Sequence, residues 1–188
     1  MGVFDVDAFV ADCVAARGET EPRLAIRTVL ERALADPGAV GDALQPTEGG
    51  LTMLHHAPDL TVIHIVWAPR MQLYPHDHRM WAAIGIYAGR EDNAFFRRDP
   101  DAPRLLVDSG GKDIGAGDVL LLGDDVIHAV TNPDRKLTGA IHVYGGDFVN
   151  QPRSQWGPGP REERPHDMAV LRQHFADANR AWRESADR

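Results

Sequence analysis

Between Leu51 and Gly146 the chain is built of short runs rich in Val, Ile and Leu, each broken by Gly, Pro, Asp or Asn. Runs of that kind make strands, and the turn residues between them leave no room for long helices. The expected strands are Leu51–His55, Thr61–Trp67, Tyr74–Ile86, Asn93–Arg97, Arg104–Asp108, Asp118–Leu122, Ile127–Thr131 and Thr138–Tyr144. Short strands joined by tight turns point to a mainly β sandwich or small barrel whose alternate residues face inward.

Both flanks read as helical. The segment EPRLAIRTVLERALADPGAV sets Ile26, Val29, Leu30, Ala33 and Leu34 on one helical face and stops at Asp36-Pro37-Gly38. Asp5 to Arg17 forms a shorter helix with Phe4, Phe9, Cys13 and Val14 toward one side. After Gly146, NQPRSQWGPGPREERP is too rich in Pro and Gly for regular structure and is expected to cross the barrel surface. A last helix over 165–185 aligns Met168, Leu171, Phe175, Ala178 and Trp182 on one stripe. The 188 residues read as one domain, with helices in 1–40, a barrel over 51–148 and the C-terminal helix. A chain of this size buries a core without needing a metal to fold.

A formal net charge of −8 argues against a nucleic-acid or anionic-membrane surface, which leaves a small molecule as the expected partner. The oligomeric state is not legible. Cys13 is the only cysteine, so no intramolecular disulfide forms, and it reads as a small buried apolar residue. No run reaches transmembrane length, and MGVFDVDAFVADC lacks the basic start and apolar core of a secretory signal, so a cytoplasmic location is expected.

Chemistry concentrates in the histidines. In PHDHRMWAAIGIYAGRE, His76 and His78 lie two residues apart on a strand and therefore share a face, with Asp77 on the other. His128 follows in GAGDVLLLGDDVIHAVTNP, and GAIHVYGGDF presents His142 and Tyr144 together on one face. Neutral imidazoles suit iron, zinc, copper or nickel, and three of them leave coordination positions open. Among the other histidines, His64 faces opposite Trp67, outward; His166 and His174 fall on a solvated helical segment; His55 and His56 are ambiguous. Trp67 reads as core, and Asn132, before Pro133, as a turn former.

These segments resemble the cupin superfamily. Gly117, Gly123, His128 and Asn132 keep the distances of its second motif, with Asp125 in place of the usual second glycine. His76 and His78 match its first motif, whose glutamate would fall on Ala82 or Ala83; Glu91 lies beyond the Gly89 turn, so only three imidazoles are offered. Three-histidine cupins of this kind resemble the cysteine dioxygenase, or thiol dioxygenase, family. Its Ser-x-His-x-Tyr segment becomes Ala140, His142 and Tyr144 here, and Trp67 stands where its tryptophan stands. The string HDHRMWAAIGIYAGREDNAFFRR resembles a less characterised metal-dependent branch rather than a typical cysteine dioxygenase.

The resemblance implies a double-stranded β-helix and Fe(II) on His76, His78 and His128, with Zn, Ni or Cu as other occupants. It implies a thiol and O2 as substrates and a sulfinate as product. Tyr144 would hydrogen-bond a substrate group, and His142 would orient Tyr144. The family's thioether cysteine falls on Ala83, so Tyr144 should be unmodified. Its carboxylate-binding arginine belongs in LTMLHHAPDL, which has none; only Arg70 or Arg79, turned inward, would replace it, and cysteine should be a poor substrate. Two other readings stand beside this one: a non-catalytic metal-binding or ligand-sensing cupin, and a zinc hydrolase or isomerase.

Overall fold

The computed structural model describes residues 2–158 and 162–186. Three helices come first: α1 (Val6–Arg17), α2 (Pro22–Ala33) and α3 (Pro37–Leu44). The Asp5 carboxylate caps α1 by accepting from the Ala8 N–H at 3.0 Å. Asp36-Pro37-Gly38 does end α2, but it also starts α3, which the sequence reading lacked. Asp36 caps the new helix through Ala39 N–H, and Pro37 occupies its first turn, where no N–H is needed.

Nine strands follow: β1 (Gly50–Ala57), β2 (Leu60–Trp67), β3 (Gln72–Asp77), β4 (Ala82–Ala88), β5 (Arg90–Arg98), β6 (Leu106–Gly115), β7 (Val119–Leu122), β8 (Ile127–Thr131) and β9 (Thr138–Tyr144). Two short strands, β10 (Ser154–Gln155) and β11 (Arg164–Pro165), precede α4 (Met168–Ala186). One sheet has the order β1-β2-β9-β4-β7 and the other β11-β10-β3-β8-β5-β6. The antiparallel pairs β2 with β9, β3 with β8, β4 with β7 and β5 with β6 are nested inside one another. A single long hairpin has thus been coiled into a barrel, which is a double-stranded β-helix.

Residues 74–86 do not make the one strand expected of them. The chain leaves the second sheet at Asp77, turns through Arg79 at φ +54°, and enters the first sheet at Ala82. Apolar content runs through the corner because Met80 is buried there, so hydrophobicity alone does not mark the break. The Pro-rich stretch 150–165 is also less irregular than expected: β10 pairs with β3 and with β11, extending the second sheet.

Every residue of β2 is buried because both faces are covered. Ile63, Ile65 and Trp67 point into the barrel with Ile84 and Ile86, while Leu60 and Val62 pack against Cys13, Ile26 and Leu30 of the helices. His64 points out of the barrel as expected, yet it is buried under that helical layer and hydrogen-bonds Tyr87 Oη at 2.8 Å. Tyr87 reaches it by crossing Gly139, where a Cβ would lie 2.1 Å from the ring. On α4, Leu171 and Phe175 close one end of the barrel interior. No helix among the described residues is long and apolar enough to cross a membrane.

Candidate metal centre

His76 on β3 and His128 on β8 are direct cross-strand partners, and His78, just past the end of β3, turns in beside them. Asp77 points away, as the alternation requires, and accepts from the Ser154 N–H at 2.6 Å and from Arg79 Nε at 3.2 Å. The Nε2 atoms of His76 and His78 are 3.2 Å apart, those of His78 and His128 3.4 Å, and the three possible ligand atoms all lie within 4.8 Å. Nitrogens bound to one ion at about 2.1 Å are separated by roughly 3.0–3.4 Å for angles from square to tetrahedral.

The tautomers fit as well. His76 Nδ1–H donates to Tyr74 O at 3.1 Å and His128 Nδ1–H to Asn93 Oδ1 at 2.7 Å, which leaves both Nε2 lone pairs aimed at the centre. Burial pushes the His76 pKa down to about 3 and holds those of His78 and His128 well below the usual imidazole value, each further depressed by neighbouring positive charge. Three neutral imidazoles with converging lone pairs form a donor set for a metal ion. No carboxylate joins them. Of the two candidate positions, Ala82 faces the barrel interior opposite Tyr144, and Ala83 packs against the helices.

The three rings border a small cavity of about 20 Å³, room for little more than a water molecule. Tyr144, fully buried, stands over His78 with ring centroids 5.0 Å apart, and its Oη lies 3.0 Å from His142 Nδ1. Both residues line the cavity. Trp67 also lines the cavity, stacked on Phe175, with its indole N–H donating to Glu91 Oε2 at 2.9 Å. Asn132 is a structural staple, with Nδ2 donating to the carbonyls of Trp67, Ala68 and Lys136. Cys13 lies in the helical layer, and burial raises its thiol pKa to about 12.

Three residues that line the cavity escaped the sequence reading, Arg153, Tyr74 and His166, and Glu91 is buried behind it. Arg153 is 6% exposed, with its guanidinium 3.9 Å over the Phe148 ring and Nη2 3.5 Å from Met168 Sδ. Burial lowers its pKa to about 10. Its Nη1 has no hydrogen-bond partner. Neither arginine proposed as an anchor is available: Arg70 donates to Pro133 O at the surface, and Arg79 is engaged by Asp77, Ser154 and Glu163. Both side chains are exposed.

His166, expected on a solvated face, lines the cavity. Its pKa falls to about 3, through burial first and then Arg153 and His76. His174 is held by Gln72 O at 2.6 Å. The buried Trp156 beside Arg153 was the available clue, since a stretch that merely crosses a surface seldom buries an indole. Among the described residues the buried side-chain atoms without a hydrogen-bond partner are Tyr74 Oη, His142 Nε2 and Arg153 Nη1, and all three belong to residues lining this one cavity.

No family model matches the sequence, and no curated protein matches it. Solved structures of similar shape include an RmlC-like cupin family protein from Methanocaldococcus jannaschii, 13% identical over 55% of this chain and 84% of that one, with a TM-score of 0.45. A protein with a double-stranded β-helix domain from Klebsiella pneumoniae is 13% identical over 62% of this chain and 87% of that one, with a TM-score of 0.45. A deletion mutant of Bacillus subtilis oxalate decarboxylase is 14% identical over 58% of this chain and 28% of its own, with a TM-score of 0.43. The nested antiparallel strand pairs make the fold a double-stranded β-helix. Nothing in these similarities points to the cysteine dioxygenase branch.

Buried polar groups in folded proteins are almost always hydrogen-bonded, so the unpartnered Tyr74 Oη and Arg153 Nη1 leave two polar atoms on the cavity wall able to meet a ligand, while the third, His142 Nε2, lies 3.7 Å from Glu91 Oε2. The cavity also has a way in. A surface cleft of about 600 Å³ shares Arg153 and His166 with the cavity wall, so these two residues lie between the candidate metal centre and the surface.

Proposed function

We propose that the protein is a mononuclear metal-dependent oxidoreductase that adds O2 to the sulfur of a small thiol bearing an acidic group. The observation that carries this reading is the buried Arg153, whose Nη1 has no hydrogen-bond partner, lining the same cavity as three converging imidazole nitrogens. Fe(II) is the proposed metal, and on His76, His78 and His128 it would supply adjacent open positions for a thiolate and dioxygen. The overall change, RSH + O2 → RSO2H, puts both oxygen atoms on sulfur and needs no external reductant.

The chain's own groups then have distinct tasks. Arg153 fixes the acid with charge-assisted hydrogen bonds, in the role denied to Leu51–Leu60, and Tyr74 Oη adds a second donor on the same wall. Tyr144 meets the reacting end of the ligand, held by His142. Phe148, Leu171 and Phe175 keep water out, which strengthens each polar contact inside. An ammonium on the ligand would face Arg153 in a poorly solvated space, so cysteine remains a poorer substrate than a thiol acid without one.

The test is to load Fe(II) anaerobically, add cysteine, 3-mercaptopropionate and cysteamine in turn, and follow oxygen uptake together with sulfinate by mass spectrometry. The thiol acid should be consumed fastest and cysteamine, with no acid, slowest. If no thiol is oxidised while the iron site is filled and intact, the reading is wrong. Metal analysis of protein purified without added metal separates iron from zinc.

A further inference from the structure

Glu91 was set aside in the sequence as lying past a turn, yet it is completely buried behind the metal centre. Gly89, at φ +74°, carries the chain from β4 in one sheet to β5 in the other, and this corner delivers Glu91 into the barrel. Oε2 accepts from Trp67 Nε1–H at 2.9 Å and Oε1 from Asn93 Nδ2–H at 3.2 Å. The Asn93 amide is oriented by His128. His128 directs Nε2 at the other imidazoles, so its Nδ1–H donates to Asn93 Oδ1 and the amide nitrogen is left to face Glu91.

The same Oε2 lies 3.7 Å from His142 Nε2, which has no hydrogen-bond partner. Ala140, on the same face of β9, offers only a methyl. A ring nitrogen this close to a carboxylate oxygen is stabilised as N–H and opposed as a lone pair. The proton of a neutral imidazole is placed by the partner of each nitrogen.

We infer that Glu91 is a positioning residue that keeps the His142 proton on Nε2 and so makes Nδ1 the acceptor for the Tyr144 hydroxyl. The Tyr144 oxygen lies 3.0 Å from Nδ1, so the phenol hydrogen then points to His142 and the oxygen turns a lone pair to the cavity. Donors come from Arg153 and Tyr74, which line the same cavity; Tyr144 is the acceptor, ready for an entering S–H or O–H. One carboxylate thereby sets two groups at once, His128 through Asn93 and Tyr144 through His142. Its function depends on the site reading above; its geometry does not.

The experiment is long-range ¹H–¹⁵N NMR of the histidine rings in the full-length, metal-free protein at neutral pH, with His142 assigned from the resonances lost in His142→Gln. The expected result is Nε2 protonated and Nδ1 unprotonated, in about tenfold or greater excess, as suits a contact with a charged partner. In Glu91→Gln that excess should fall by about tenfold. Protonation of Nδ1 in the wild type, in the neutral or doubly protonated ring, would overturn the inference, as would an unchanged ratio in folded Glu91→Gln. The wild-type spectrum decides the tautomer by itself, so the test survives a variant that does not fold. No thiol or iron is used, so its failure is distinct from failure of the dioxygenase reading.

Discussion

Replacing Arg153 by Met should stabilise the protein while weakening its hold on an acidic ligand. Burial lowers the Arg153 pKa from 12.5 to about 10, which corresponds to a penalty of about 3 kcal/mol on the charged form. The guanidinium over Phe148 recovers about 1–2 kcal/mol of that as a desolvated cation–π contact. Met is unbranched, fills a similar space, and makes its own sulfur contact with the ring. The net expectation is a gain of about 1–2 kcal/mol, or roughly 2–8 °C in Tm for a chain of this length.

Binding should move the other way. Charge-assisted hydrogen bonds contribute about 1.5–3 kcal/mol, so KM for a thiol acid should rise on the order of 10- to 150-fold, with kcat much less changed. Arg153→Lys keeps the charge without the planar fork and should fall between. Thermal unfolding by circular dichroism and steady-state oxygen uptake read the two halves separately. A destabilised Arg153→Met with wild-type KM would show that the arginine is structural.

His128→Ala should lose most bound metal by elemental analysis while keeping its circular-dichroism spectrum, because the barrel does not depend on one ion; wild-type metal content would remove His128 from the ligand set. Tyr144→Phe should keep its metal yet turn over about tenfold more slowly, as suits the loss of one hydrogen-bond acceptor for the ligand; loss of metal would make the phenol a ligand. Metal-free protein should lose stability steadily as pH falls below 6.5. The folded pKa values of His76 and His166 near 3 and His64 near 4 lie under the unfolded value of 6.5, so in that window the unfolded chain binds more protons. Each such group costs about 1.4 kcal/mol by pH 5.5, and a Tm that stays flat from pH 7 to 5 would contradict their burial as neutral rings.

What could be read in the sequence was whatever depends on local spacing. His76 and His78 share a face because strand geometry has period two, and His142 with Tyr144 follows the same rule. The strand texture sufficed for the barrel because short apolar runs between turn residues have few other uses. What could not be read depends on contacts distant in sequence. Arg153 is brought over the cavity by the Asp77 carboxylate on the Ser154 amide, 77 residues away. Glu91 enters because the chain changes sheet at Gly89, an event that looks like an ordinary turn. The break at 78–81 was hidden because a barrel corner can be as apolar as the strands it joins.

The missing glutamate, the odd feature of the first motif, bears on the ligand as well as on the metal. Three neutral imidazoles leave the charge of a divalent ion uncancelled, where a carboxylate in place of the Ala82 methyl would have offset part of it. Arg153 adds a further positive charge on the cavity wall. The nearby carboxylates lie outside the cavity: Glu91 accepts from Trp67 and Asn93, and Asp77 from Ser154 and Arg79. Surplus positive charge in a small, mostly apolar space is costly unless a ligand balances it. A thiol acid bound as thiolate and carboxylate brings two negative charges at the two places where the cavity is positive. Cysteamine brings one charge of the right sign and one of the wrong sign. On the proposed reading, three imidazoles without a carboxylate therefore favour a dianion, with its second charge at Arg153.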